Sequence, residues 1–163
     1  MIVVKKNTLT YNDKSFQCAI GKSGMTKKKI EGDGCTPLGK YLIKEVFYRN
    51  DRVNLPNINF PTTVIENNFG WCDDINSKVY NKLIKFPFNE SAEKLFRSDN
   101  IYDIICVIDY NLEPIIKNKG SAIFLHVARD NYSETQGCIA ISKNNLISLL
   151  TMININTKLN IIN

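Results

Sequence analysis

The sequence predicts a mainly β domain with one or two short helices, and three observations support this prediction. Short apolar runs rich in Ile, Val, Tyr and Phe recur along the chain with the alternating or continuous apolar character of strands. Helical periodicity is confined to two short segments. Clusters of Gly, Pro, Asn and Asp separate the runs and indicate turns. With 163 residues, of which 44% are apolar and 23% charged, the chain is expected to form one domain over residues 1–163.

The individual elements follow from local patterns. Ser142 is expected to cap a helix over KNNLISLL, whose apolar residues recur at helical spacing, and Ser91 to cap a shorter helix over AEKLFRS. EGDGCTPLG (31–39) and NKGS (118–121) carry turn residues. Residues 47–90 show no clear periodicity and are interpreted as a long irregular segment with a functional or lid role. Strands are predicted at residues 2–5, 15–20, 40–46, 104–109, 122–127, 138–141 and 158–162.

Charge and hydropathy narrow the functional classes to which this protein can belong. The formal net charge is +5, and three lysines are adjacent at residues 27–29. These lysines allow a basic patch for an anion or nucleic acid, but a solvated loop is the favoured interpretation. No strand interleaves aromatic and basic residues, so a nucleic-acid partner is not expected. No apolar run approaches the ~20 residues that span a bilayer. The N-terminal residues do not resemble a signal peptide, so we expect a cytoplasmic location, or a periplasmic one if a leader has been removed.

The cysteines do not form a disulfide or metal pattern. Five of them stand at positions 18, 35, 72, 106 and 138, and no two have CxxC spacing. An odd number of scattered cysteines does not suit a disulfide framework. A zinc site is not expected either, because the chain has only one histidine. We therefore expect reduced thiols, no metal and no cofactor.

One stretch, HVARDNYSETQGCIAIS (126–142), combines the single histidine with a Gly-Cys pair. A free cysteine has a pKa near ~8.5, and a neighbouring imidazole can take its proton. If the strands that carry His126 and Cys138 are neighbours, the loop between them can bring the two side chains together. Gly137 would let a substrate carbonyl approach the backbone, whose N–H groups can bind an oxyanion. A buried strand cysteine and a core histidine bonded to a backbone carbonyl fit the same residues, and both interpretations are open.

Three blocks of the chain resemble the catalytic domain of L,D-transpeptidases, the YkuD-type domain. EGDGCTPLGKYLI (31–43) looks like the Thr-Pro-x-Gly-x-Phe/Tyr segment of that family. GWCDD (70–74) resembles a block of a short bacterial branch without a signal peptide. GSAIFLHVARDNYSETQGCIAIS (120–142) is similar to the histidine and Gly-Cys signature of that branch. The blocks occur in the order and spacing of the family.

The resemblance implies a β-sandwich with a small helical element and a cysteine-based site. It implies that Cys138 is the nucleophile, that His126 is its base, and that Gly137 and Cys138 present N–H groups to the oxyanion. The wider family motif reads Ser-His-Gly-Cys, followed by an apolar residue and an Arg. Here Gln136 stands in the His position, which leaves His126 as the only imidazole base. Ala140 stands in the Arg position, which removes a cation that helps to bind substrate.

Several loop residues are candidates for substrate contact. Arg129 lies between base and nucleophile and suits a substrate carboxylate, but it is equally compatible with a surface arginine. Tyr132 and Trp71 are candidate pocket walls or packed loop aromatics. Gln136 is a further candidate, next to the Gly-Cys pair. The acidic pair at residues 73–74 can bind a substrate ammonium or shape a turn.

The resemblance implies action on peptidoglycan stem peptides or muropeptide fragments. We expect a monomer. The thiolate would attack the carbonyl of a diamino acid that precedes a terminal D-alanine and form a thioester. An amine would then give a cross-link, whereas water would give a shortened peptide, which is L,D-carboxypeptidase activity. Lack of export would favour hydrolysis in peptidoglycan recycling. An alternative of another class is an inactive module that binds peptidoglycan fragments, which the loss of the second histidine would suit.

Overall fold

The computed structural model describes residues 1–163 and is mainly β with one helix, as predicted. The helix α1 spans Lys143–Met152. The strands are β1 (Ile2–Lys5), β2 (Thr8–Tyr11), β3 (Lys14–Gln17), β4 (Met25–Thr26), β5 (Thr36–Pro37), β6 (Gly39–Tyr48), β7 (Thr62–Val64), β8 (Phe69–Cys72), β9 (Leu83–Lys85), β10 (Ala92–Lys94), β11 (Ile104–Ile108), β12 (Phe124–Val127), β13 (Ile139–Ile141) and β14 (Lys158–Ile162).

A nine-stranded sheet forms the body of the fold. Its order is β13-β12-β11-β6-β14-β1-β2-β3, with β7 paired to β6. Most neighbours are antiparallel, but β12 pairs with β13 in parallel, and so does β1 with β14. Ala19, just past β3, exchanges two backbone hydrogen bonds of 2.8 and 2.9 Å with Ala140 of β13. These bonds join the two ends of the sheet, so the sheet is nearly closed.

The strands β11 and β12 are buried on both faces, which explains their continuous apolar sequence. Leu125 and Val127 of β12 belong to the main core, whereas Phe124 belongs to a second, largely aromatic cluster. The main core also receives Leu146, Leu149 and Leu150 from α1. Burial of each leucine contributes about 2 kcal/mol. The predicted cap is confirmed, since the Ser142 hydroxyl accepts a hydrogen bond from the N–H of Asn145.

A separate three-stranded sheet, in the order β10-β8-β9, packs over the second cluster. Two of its strands and β7 come from residues 47–90, so the prediction that this segment is irregular is wrong for these strands, although most of the segment lies outside them. Trp71 of β8 stacks edge-on against Phe47 and Phe124, with ring centroids 6.5 and 5.2 Å apart. The segment is therefore held by aromatic packing rather than left as a free loop.

The prediction of a short helix after Ser91 is also wrong, because residues 92–94 form β10. This strand pairs with β8, with Glu93 opposite Trp71. Two positions later Leu95 is buried in the second cluster, so the stretch alternates as a strand does. Pairing with β8 thus overrides the helical preference of Ala, Glu, Lys and Leu. The predicted turn at residues 118–121 is confirmed, with positive φ at Asn118 and Gly120.

Candidate active site

The parallel pairing of β12 with β13 brings His126 and Cys138 to one face of the sheet. His126 pairs with Ala140, and Leu125 pairs with Ile139. Cys138 precedes β13 and lies beside Phe124, whose N–H approaches the Cys138 Sγ at 3.4 Å. Because side chains alternate along a strand, the side chains of Phe124 and His126 lie on the same face of the sheet. Cys138 lies beside Phe124 on that face, diagonal to His126. The prediction that the two strands are neighbours is confirmed.

The Cys138 thiol is buried and protonated in the resting protein. The residue is 8% exposed, and its Sγ donates a hydrogen bond of 3.1 Å to the carbonyl oxygen of Ala122. Burial raises the pKa of this thiol to about 12, and the charge of Glu93 adds to the effect, whereas Lys29 opposes it. The sulfur therefore needs a proton acceptor before it can act as a nucleophile.

His126 is a neutral imidazole with a fixed orientation. Its Nδ1 lies 2.9 Å from the carbonyl oxygen of Val127, which can only accept a hydrogen bond, so Nδ1 carries the proton. Nε2 is then left with a free lone pair. Burial lowers the pKa of His126 to about 4, and the charges of Arg129 and Arg97 lower it further. Interactions with the backbone of Val127 and of Ile101 oppose this shift. The Tyr102 ring packs edge-on against the imidazole with a centroid distance of 5.2 Å.

A cavity of about 500 Å³ opens onto both side chains. Of the other predicted site residues, Arg129 and Gln136 line it. Trp71 does not, because it is buried in the second cluster, where its Nε1 donates a hydrogen bond of 2.9 Å to Asn81 Oδ1. Tyr132 does not either, because it packs against the small alanine cluster at the closure of the sheet. For Trp71 the structure fits the alternative of a packed residue, whereas Tyr132 lines a second cavity that shares Arg129 with the first.

The backbone around Gly137 is tightly held. The N–H of Gly137 donates a hydrogen bond of 3.1 Å to Thr135 Oγ1, and its carbonyl oxygen accepts one of 2.9 Å from Thr36 Oγ1. The Gly137 N–H is thus already engaged and not free for an oxyanion, contrary to the expectation from the resemblance. The N–H of Cys138 donates no hydrogen bond within the protein. Cys138 therefore offers the available backbone donor.

Substitution of Gly137 by alanine is expected to lower the free energy of unfolding by about 1–3 kcal/mol and to lower activity. Gly137 has φ +137°, and an added Cβ would lie 2.8 Å from the carbonyl oxygen of Cys35. Urea unfolding measures the effect. Gly24→Ala is the matched control, because Gly24 has φ +80° and an added Cβ meets nothing within 4 Å. Equal losses in the two variants would contradict the role of the Cys35 contact.

Further charged and polar groups of the cavity were not singled out as site residues from the sequence. Lys29 is the clearest case, because it is 4% exposed and its Nζ lies 2.6 Å from Asp33 Oδ1. The favoured prediction of a solvated loop is wrong for Lys29, although Lys27 and Lys28 are exposed. The pattern Lys-x-x-x-Asp was the only local signal. The other such polar lining residues include Glu31, Glu93, Arg97 and Ser121. Asp73 also lines the cavity, and it is one of the two acidic residues for which the sequence allowed contact with a substrate ammonium.

Comparison with known proteins identifies the family. The sequence model described as the L,D-transpeptidase catalytic domain, YkuD, matches residues 1–161. No curated protein matches the chain. The single helix is neither long nor apolar enough to cross a membrane. Proteins of the YkuD family are generally enzymes, and they act on peptidoglycan stem peptides. The match covers nearly the whole chain, and the nearly closed sheet is consistent with this fold. The chain belongs to the L,D-transpeptidase catalytic domain family.

Proposed function

We propose that this protein is a cysteine acyltransferase that cleaves the bond before the terminal D-alanine of a peptidoglycan stem peptide through a thioester on Cys138. The observation that carries the proposal is the arrangement of His126. Its Nδ1 is tied to the Val127 carbonyl oxygen at 2.9 Å, and its ring lies on the same face as Cys138 in one cavity. A fixed imidazole with an unprotonated Nε2, facing the same cavity as the thiol, supports the role of general base.

Proton transfer from thiol to imidazole accompanies the attack on the substrate. Burial opposes charge on both groups, since it raises the pKa of Cys138 to about 12 and lowers the pKa of His126 to about 4. A stable thiolate–imidazolium pair is therefore disfavoured in the resting protein. Nε2 of His126 takes the proton as the sulfur bonds to the carbonyl carbon, and the N–H of Cys138 stabilises the oxyanion. The imidazolium then protonates the nitrogen of D-alanine, the C–N bond breaks, and a thioester remains.

Arg129 is the cation proposed to bind the terminal carboxylate of the substrate. Its side chain is 48% exposed, and its only ion pair is a distant one of 4.0 Å to Asp99. The other arginine of the cavity, Arg97, is held by two hydrogen bonds of 2.7 and 2.8 Å to the same carboxylate. Arg129 is therefore the freer guanidinium. Gln136, exposed at the rim of the cavity, can add an amide hydrogen bond.

The second half-reaction is either transfer to an amine or hydrolysis, and both proceed from the same thioester. Mass spectrometry of the protein with a diaminopimelate tetrapeptide, with and without an added D-amino acid, distinguishes them. Cross-linked or exchanged products indicate a transpeptidase, and a tripeptide alone indicates an L,D-carboxypeptidase. Formation of either product by the wild type, and of neither product by Cys138→Ala, supports the proposal. Binding of the peptide without any product would instead support an inactive peptidoglycan-binding module.

A further inference from the structure

We propose that Glu31, Asp73 and Glu93, together with the hydroxyl of Ser121, form a subsite for a primary ammonium group of the ligand. The inference rests on the proposed function, because it names the group by which this cavity recognises its peptide. The free amine of a diamino acid is the ligand group of this chemistry. It can belong to the donor peptide that is cleaved or to the acceptor that attacks the thioester.

The carboxylates of the subsite have no cationic partner in the protein. None of the three takes part in a salt bridge. Glu31 accepts a hydrogen bond from the neutral hydroxyl of Tyr80, and Glu93 accepts one of 2.7 Å from Tyr102. Asp73 Oδ1 is buried and has no hydrogen-bond partner at all. A buried carboxylate oxygen without a partner is costly, and a ligand ammonium would satisfy it.

The cations that line the same cavity are engaged by other acids. Lys29 lies 2.6 Å from Asp33, and Arg97 is bonded twice to Asp99. Neither forms an ion pair with the three carboxylates, although the charge of Arg97 lowers the pKa of Glu93. The positive charge that this part of the cavity lacks has to come from the ligand.

Ser121 gives an independent indication of a ligand at this place. The residue is 7% exposed and lines the cavity, and its Oγ has no hydrogen-bond partner. The nearby Tyr80 hydroxyl donates to Glu31 and accepts from the N–H of Gly120. Ser121 approaches this hydroxyl closely enough to lower the pKa of Tyr80, but its Oγ makes no hydrogen bond of normal geometry. Ser121 precedes Ala122, whose carbonyl oxygen accepts the hydrogen bond from Cys138 Sγ. The subsite therefore adjoins the sulfur, within reach of a side chain next to the cleaved bond.

The spacing of the acids suits an organic cation better than a metal ion. Burial raises the pKa of Glu93, and the hydrogen bond from Tyr102 and the charge of Arg97 oppose this effect. The charges of Asp73 and Glu31 add a smaller increase, so the three acids lie close enough to interact. Yet no three His, Cys, Asp or Glu side chains converge closely enough to hold a metal ion. A primary ammonium has three donors that point in different directions, so it can engage acceptors that do not converge.

The acidic side chains of the cavity and its free cation come from different segments of the chain. Glu93 lies on β10, and Asp73 follows β8 and donates its N–H to the carbonyl oxygen of Ser91 at 3.2 Å. Glu31 comes from the turn before β5. The free cation, Arg129, comes from the loop between β12 and β13. A ligand that carries both an ammonium and a carboxylate matches this division.

Calorimetric binding to the Cys138→Ala protein tests the subsite without depending on turnover. The ligands are a diaminopimelate tetrapeptide and the same peptide with the free amine replaced by hydrogen. We expect loss of the amine to weaken binding about tenfold or more, as for a hydrogen bond to a charged group. Asp73→Asn and Glu93→Gln, each added to Cys138→Ala, should remove most of this preference. Glu90→Gln is the matched control, since Glu90 is exposed and outside the cavity, and it should retain the preference.

A tripeptide acceptor that carries the amine but lacks D-alanine separates the two sources of the ammonium. If the donor supplies it, the tetrapeptide pair shows the preference. If the acceptor supplies the ammonium, the two tetrapeptides bind equally, and Asp73→Asn weakens only the binding of the tripeptide. Equal binding of all ligands with and without the amine, or a preference that Asp73→Asn and Glu93→Gln leave intact, would overturn the inference. Failure of the wild-type protein to release D-alanine would instead count against the proposed function.

Discussion

Replacement of Cys138 by alanine is expected to abolish the release of D-alanine, with a loss in kcat/KM on the order of 10⁵. No other thiol can substitute for it, because Cys138 is the only cysteine that lines the cavity. Cys18, Cys72 and Cys106 are buried within the fold. Mass spectrometry of the tetrapeptide reaction measures the loss. Trimming by the variant at a rate near that of the wild type would contradict a thioester mechanism.

The control for this prediction is Cys35→Ala. Cys35 is the most exposed of the cysteines, and its Sγ only donates a long hydrogen bond of 3.5 Å to Ser23. We expect this variant to keep the wild-type rate within about twofold. Urea unfolding of Cys138→Ala should show a loss of only about 1 kcal/mol, since a single buried sulfur is removed. Loss of activity with retention of the fold would then report on chemistry alone.

Replacement of His126 by glutamine is expected to lower kcat/KM by a factor of about 10²–10⁴, the usual contribution of a general base. Glutamine is neutral and cannot take the thiol proton. In the wild type, the pKa of His126 is lowered to about 4, so the imidazole remains a base throughout the range from pH 5 to 8. The rate of the wild type should therefore show no decline near pH 6.5, where an ordinary histidine is protonated. A decline centred near 6.5 would show that His126 is accessible to water.

The same lowered pKa predicts a difference in stability. Between pH 6.5 and 4, the unfolded chain binds a proton at His126 that the folded chain does not, so folding is weakened as the pH falls. The expected loss is up to about 3 kcal/mol, from the pKa of about 4 and the ordinary value of 6.5. In His126→Gln, this part of the decrease in the free energy of unfolding should be absent. Urea unfolding of both proteins at pH 7 and pH 4.5 measures it, and equal losses would contradict burial of a neutral imidazole.

The sequence was most informative where structure is determined locally. The strands β1 and β14 were predicted at their observed bounds, because their apolar runs are flanked by polar residues. The prediction of a cap at Ser142 was also correct, because a cap depends on residues that are close in sequence. The pairing of the strands that carry His126 and Cys138 was also predictable, since only ten residues separate β12 (ending at Val127) from Cys138. Short loops favour neighbours in space.

The small sheet was not predictable, because its strands are short and find their partners far along the chain. β10 has three residues, and two of them, Glu93 and Lys94, are charged. Nothing local indicates that Glu93 lies beside Trp71 of β8 or accepts a hydrogen bond from Tyr102. Lys29 was missed for a related reason: adjacent lysines usually lie in solvent, and its burial depends on Asp33 and on close packing against Gly120.

The closure of the large sheet has a consequence for how the protein acquires activity during folding. β13, which follows Cys138 directly, is held on one edge by β12 and on the other by Ala19. The second contact joins residues about 120 positions apart, and such distant contacts are slow to form because a long loop must first be closed. The proposed site around Cys138 is therefore expected to be completed late in folding, after the distant contact between Ala19 and Ala140 has formed.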